Sequence, residues 1–178
     1  PEREALHKRI GRRMSGAPAL LGTVKIRVHG DYHPGQTLRT IDDDFVIIDF
    51  EGEPSRSIEQ RRMKQPALKD VAGMLRSLDY AVATASARAA GDRRALLAEW
   101  GDAAREAFLS AYRAAVAQSG LALVPADAAR FEDALALLVV EKALYEVRYE
   151  LNNRPDWLPI PLNALRRLAG MDDEWRPS

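Results

Sequence analysis

A chain of 178 residues that balances 26 Lys+Arg against 26 Asp+Glu has no net charge with which to hold a polyanion, which argues against a nucleic-acid partner. At 47% hydrophobic and 29% charged it is too apolar to stay disordered and fits one globular domain, or part of a larger one. The absence of cysteine excludes disulfides, a thiolate nucleophile and Cys-ligated zinc; with no apolar run of membrane length and no apolar core in residues 1–13, a cytoplasmic chain with no membrane partner is expected.

Charged residues with Ala5, Leu6 and Ile10 near helical spacing predict a lead-in helix, Glu2–Met14, broken by Gly16, Pro18 and Gly22. From Val24 the period changes to two, and Val24, Ile26 and Val28 alternate with Lys25 and Arg27. This stretch and the β-branched run at 45–48 predict two strands flanking the loop 29–44, with Asp42, Asp43 and Asp44 as the turn between Leu38-Arg39-Thr40 and the second. Beyond Pro66 the pattern is helical. Leu68, Val71, Leu75, Leu78 and Val82 form one apolar stripe, which ends at Gly91-Asp92 and is expected to bury against the loop. Residues 93–118 repeat the spacing through Leu97, Trp100, Ala104, Phe108, Ala111 and Ala115. Residues 130–151 are apolar on two sides, Phe131, Leu135 and Leu138 on one and Leu137, Val140, Leu144, Val147 and Leu151 on the other, which predicts a central helix. Pro155, Pro159 and Pro161 suggest an extended segment before a short helix at 162–168. No repeat and no Gly/Ser linker divides the chain, so residues 1–178 are expected to form one domain: 1–22 lead-in, 23–54 loop and hairpin, 66–169 helical.

The chemistry concentrates in His29-Gly-Asp-Tyr-His-Pro-Gly-Gln36 and Ile48-Asp-Phe-Glu-Gly-Glu53. Kinase-type phosphoryl transfer uses one Asp to accept or orient the acceptor hydroxyl proton. A side-chain oxygen five residues later helps hold a metal, and a further Asp after a short strand binds the metal that bridges the phosphates. Asp31, Gln36 and Asp49 follow that order, and their hard oxygens suit Mg²⁺. The competing reading is a polar hairpin with turn-forming Asp and Gly. His33 and His29 suit hydrogen bonds that fix the loop, while Glu51 and Glu53 could hold metal or sugar or stand solvated. Tyr145, Glu146, Tyr149, Asn152, Arg154 and Trp157 gather rings and polar groups at the end of the central helix, as a surface that stacks on a sugar does; an aromatic helix end packed on the Pro-rich segment is the alternative.

His29-Gly-Asp31 with Gln36 and Asp49-Phe-Glu-Gly52 resembles the catalytic loop and metal motif of the aminoglycoside-phosphotransferase-like kinases. Asp49-Phe-Glu-Gly-Glu-Pro54, Arg61-Arg-Met-Lys64, residues 69–80 and residues 145–157 resemble more closely the maltokinases, including those fused behind trehalose synthase. The resemblance implies a mainly α (α+β) C-terminal lobe of a protein-kinase-like fold, its helices around a small β-hairpin carrying the catalytic loop. It implies phosphorylation of maltose by ATP with Mg²⁺, Asp31 as catalytic base, Gln36 and Asp49 as metal ligands, and a fused or associated trehalose synthase as a possible partner. Under it Asp70 ties down backbone amides of the loop; read alone, Asp70 is an acidic residue at a helix N-terminus. Two departures stand out: Gln36 replaces the usual Asn, and about two dozen residues precede Val24 with no Lys suited to an ATP lobe, Lys8 lying in a charged helix and Lys25 beside the catalytic loop. An isolated lobe of this kind is expected to be inactive. The rivals are a kinase of another sugar or of an aminoglycoside-like alcohol, and a non-catalytic kinase-like interaction domain.

Overall fold

The computed structural model describes residues 2–54 and 56–171. Helix α1, Glu2–Met14, leads through a 3₁₀ turn at Ala17–Leu20 to strand β1, Lys25–Ile26. After the loop come β2, Thr37–Arg39, and β3, Phe45–Ile47. Helix α2, Ile58–Arg62, and β4, Gln65–Pro66, precede the four long elements: α3, Leu68–Ala87, α4, Arg93–Ser119, α5, Ala128–Asn153, and α6, Pro159–Leu168.

Helix α5 is central because it buries two faces. Phe131, Ala134, Leu135 and Leu138 pack on Leu68, Val71 and Leu75 of α3. Val140 and Ala143, on the other face, meet Ile10 of α1 and Leu165 of α6. A fully buried side chain of this size stabilises the fold by about 1.5–3 kcal/mol, so these few positions hold the helices together. The second stripe of α5 is only half realised, since Leu144 and Leu151 stay exposed. Helix α4 lies along α3 and adds Phe108 and Tyr112 to the core, while Trp100 of its predicted stripe is 51% exposed.

Three expectations need correction. The stretch 24–28 yields only two strand residues, and these pair antiparallel with Gln65–Pro66, not with the run at 45–48. That run makes the hairpin expected across the Asp42–Asp44 turn, Thr37 facing Ile47 and Arg39 facing Phe45. Asp43 closes the turn in a left-handed conformation, φ 62°, and the Asp44 backbone N–H donates to Thr40 Oγ1 at 3.1 Å. The helices do not surround this hairpin: with three residues a strand it is too small to form a core, and Leu38, Phe45 and Val46 remain exposed. Finally, the prolines after Arg154 start helical turns. Pro155 opens a 3₁₀ turn, Pro155–Trp157, and Pro159 and Pro161 occupy the first turn of α6, where a missing N–H leaves no helical bond unmade.

Candidate active site

The loop after β1 is held by its backbone, which leaves its side chains free for chemistry. The N–H groups of His29 and Gly30 donate to the two Asp70 carboxylate oxygens, at 2.7 Å and 2.9 Å. Asp70 sits in the first turn of α3 and acts here as a clamp on the loop. His29 is buried and bridges the two halves of the site. Its Nδ1 receives the Asp31 N–H at 3.3 Å, so the proton lies on Nε2, which donates to the Ile48 carbonyl at 2.8 Å. The loop and the strand before Asp49 are thereby fixed relative to each other. Gly30, at φ +87°, lets them touch, since a Cβ there would stand 3.2 Å from Gly52 Cα. His33 turns inward on its own loop, its Nδ1 accepting the Gly35 N–H at 3.1 Å.

Helix α3 presses on the loop at Gly73, where an added Cβ would lie 2.9 Å from the Tyr32 carbonyl oxygen. Gly73→Ala is therefore expected to push the loop off the helix and to destabilise the chain by about 1–3 kcal/mol, although Ala is otherwise the better helix former. Urea unfolding checks this, and an unchanged or higher midpoint would contradict the close approach.

Asp31 stands at the mouth of this scaffold with its side chain 32% exposed. Gln36 and Asp49 come together across the hairpin base, Gln36 Nε2 donating to Asp49 Oδ2 at 2.8 Å. Asp49 is a non-glycine residue in the left-handed region, φ 63°, a conformation found mostly where a site requires it. Among the described residues no three His, Cys, Asp or Glu side chains form a metal cluster. Two adjacent, solvent-facing oxygen-bearing side chains nevertheless match what Mg²⁺ takes from a protein when phosphate oxygens and waters complete its shell.

Asp31 opens into a cleft of about 560 Å³ lined also by Tyr32, Tyr80, Tyr145, Glu146 and Tyr149. Tyr145 and Tyr149 stack on one side, 6.4 Å between centroids. Glu146 is buried and receives Arg76 Nε on its Oε2 at 2.8 Å. Burial pushes its carboxyl above the usual range, with Arg76 the chief influence opposing this. Glu150 is also buried and is fully occupied by the Tyr80 hydroxyl at 2.9 Å and the Arg154 guanidinium. Burial, then Glu146 and Glu150, raise the Tyr80 hydroxyl far above its ordinary pKa, so it remains a donor.

Of the other predicted sugar contacts, Glu53 and Arg154 line the cleft and Glu51, Asn152 and Trp157 do not. The Trp157 ring is covered by the Arg154 guanidinium, 4.4 Å from its centroid, with Tyr80 beside it at 5.9 Å, and neither Trp157 nor Asn152 lines the cleft. Asn152 bonds to the Arg148 carbonyl on an exposed turn. Glu51 is exposed away from the cleft, and its carbonyl accepts from Arg61. Glu53 is buried between Lys142 at 2.6 Å and Arg56 at 2.9 Å, so both its oxygens are engaged. Lys142, Arg76 and Arg56 were not legible as site residues. The partners of Arg76 and Lys142 lie 70 and 89 positions away, and Arg56, three residues after its partner Glu53, precedes α2 as one charge in a polar stretch.

No protein-family model matches the chain. It is 36% identical over 143 residues to a glucosamine kinase of Streptacidiphilus jiangxiensis, covering 80% of this chain and 31% of that protein. It is 34% identical over 155 residues to a glucosamine kinase of Mycolicibacterium smegmatis, covering 87% of this chain and 36% of that protein. The chain thus spans about a third of the length of the curated relatives it matches. Among solved structures, a glucosamine kinase superposes with a TM-score of 0.80 at 34% identity, over 94% of this chain and 40% of the other. A glucosamine kinase in complex with glucosamine, ADP and inorganic phosphate superposes at 0.73 and 31% identity, over 93% and 42%. These relatives are sugar kinases; they agree with the kinase part of the resemblance and not with its maltose part.

Proposed function

We propose that this chain forms the acceptor-binding floor of an ATP-dependent sugar kinase, corresponding to the C-terminal lobe of a kinase-like fold. The observation that carries this is the placement of Asp31. Its backbone N–H donates to His29, whose own N–H, like that of Gly30, donates to Asp70, and its carboxylate faces a sugar-sized cleft on the same loop that ends at Gln36, itself bonded to Asp49.

In this reading a sugar hydroxyl lies against Asp31, which orients it and takes its proton as the oxygen bonds to the γ-phosphorus of ATP and the bond from that phosphorus to the bridging oxygen breaks, ADP leaving with that oxygen. Asp49 and Gln36 would hold Mg²⁺, which when bound would supply charge neutralisation at the nucleotide phosphates. Catalysis then rests on position and electrostatics, without a covalent intermediate. Tyr145 and Tyr149 offer ring surface to the sugar and Glu146 a carboxylate oxygen. That carboxylate, together with Asp31, suits an amino sugar, the acceptor class of the relatives, and glucosamine is our first choice. Maltose is the second, because the stacked tyrosines serve a neutral disaccharide equally well. A trehalose synthase partner draws no support from these relatives.

The test is sugar-dependent ADP release by the intact protein with Mg-ATP and, in turn, glucosamine, maltose and an aminoglycoside, with the product identified by phosphorus NMR. Glucosamine is expected to lead in kcat/KM by at least about tenfold, the scale of discrimination that one recognised polar group readily supplies. The reverse order would replace glucosamine by maltose. No ADP release with any sugar would remove the reading.

A further inference from the structure

We propose that Lys142 is a positioning residue of the transfer reaction, a cation on α5 that aims the Asp31 carboxylate and locks it to the segment following the Asp49 turn. This rests on the sugar-kinase reading given above. The Asp31 carboxylate accepts no hydrogen bond among the described residues, and Lys142 is the one cation within 4 Å of it there, Nζ standing 3.9 Å from Oδ1. The same Nζ lies 2.6 Å from Glu53 Oε1 and 5.0 Å from the centroid of the Tyr145 ring.

Neutralising Glu53 does not by itself explain this arrangement. Glu53 already has Arg56 on its other oxygen at 2.9 Å, and Arg56 reaches on to Glu141, which Lys69 of α3 also holds. Segment 53–56 is therefore pinned to α3 and α5 without Lys142. What Lys142 adds is a link from that segment to Asp31, made by a residue one helical turn before Tyr145 and Glu146. Burial alone would lower the Lys142 pKa, but Glu53, and after it Asp31 and Glu146, outweigh burial and leave it above the ordinary lysine value. The cation is thus permanent at neutral pH. One charged group fixes the proton acceptor, the metal-side segment and the acceptor-sugar wall in a common frame, and displacements of about 1 Å in such a frame cost on the order of a hundredfold in rate.

Lys142→Met, Lys142→Arg and the double variant Lys142→Met/Glu53→Gln test this in the intact protein by steady-state kinetics, thermal midpoint and amide hydrogen exchange. Lys142→Met is expected to lower kcat about a hundredfold, with the KM for ATP within about twofold, and Lys142→Arg to recover most of the loss. The double variant leaves no unpaired Glu53 charge and is expected to regain the thermal midpoint while turnover stays low. Recovery of turnover as well would show that Lys142 only balances Glu53, and would overturn the proposal. Exchange decides independently of any sugar: loss of protection in both 29–32 and 52–54 of Lys142→Met supports the link, and loss confined to 52–54 overturns it. A wild-type protein that phosphorylates no sugar would remove the functional reading and leave the exchange result to judge the link.

Discussion

Replacing Asp49 with asparagine is expected to cost the intact protein about a thousandfold in turnover, some 4 kcal/mol of transition-state stabilisation, while its thermal midpoint barely moves. Asp49 stands exposed at φ 63°, and asparagine enters that left-handed region as readily as aspartate does. Its amide oxygen can still accept from Gln36, which bonds Asp49 at 2.8 Å. What disappears is the formal charge that would hold Mg²⁺ against the nucleotide phosphates. Stability is expected to change by less than about 0.5 kcal/mol, as for an exposed site whose backbone is undisturbed. ADP release and calorimetry measure the two quantities. Turnover near that of wild type would mean that Asp49 holds no metal.

Arg76→Ala is expected to be the most destabilising single change in the helical part, by about 3–5 kcal/mol, because it strands a buried charge. In a chain of this size that lowers the midpoint by roughly 10 °C. Arg76 is 1% exposed and pairs with Glu146 and with Asp79. Asp79 keeps Arg105 and Arg167, whereas Glu146 loses its principal partner. The loss also has a pH signature. Glu146 already titrates above the ordinary glutamate value through burial, and removing Arg76 raises it further. A folded-state carboxyl pKa above the unfolded one contributes stability at low pH that is lost as pH rises through the folded value. The deficit of Arg76→Ala is therefore expected to be smaller at acid than at neutral pH, which thermal melts across that range will show. A deficit that is constant with pH would mean that Glu146 is not the group left unpaired.

What could be read from the sequence was what lies close together in it. The spacing of Gln36 and Asp49 placed two groups that the hairpin brings into contact, because the turn at Asp42–Asp44 returns the chain within a few residues. The stripe Leu68, Val71, Leu75 named the buried face of α3 correctly. Yet helix α2 went unread although Ser57 and Gln60 form a capping box, a signal present in the local sequence. Trp157 was assigned to sugar because aromatic residues do stack on rings, and composition could not show that Arg154 covers that face. Lys142 and Arg76 escaped for a general reason: each owes its meaning to a carboxylate 70 or more positions away, and helical periodicity marks such positions only as charged.

The 38 residues between β1 (Lys25–Ile26) and β4 (Gln65–Pro66) are tied at their base by two paired positions and by Asp70. Closing a loop of that length costs roughly 3 kcal/mol in chain entropy, and among its described residues Val28 alone is a buried apolar side chain to offset this. The helices enclose their own cores and do not need this excursion in place. The chain is therefore built of two units of unequal resilience, and the weaker one bears Asp31, Gln36 and Asp49. On warming, this unit is expected to open while the helical content is still intact and to close again on cooling, since what must re-form is a closed loop on a standing scaffold rather than a core.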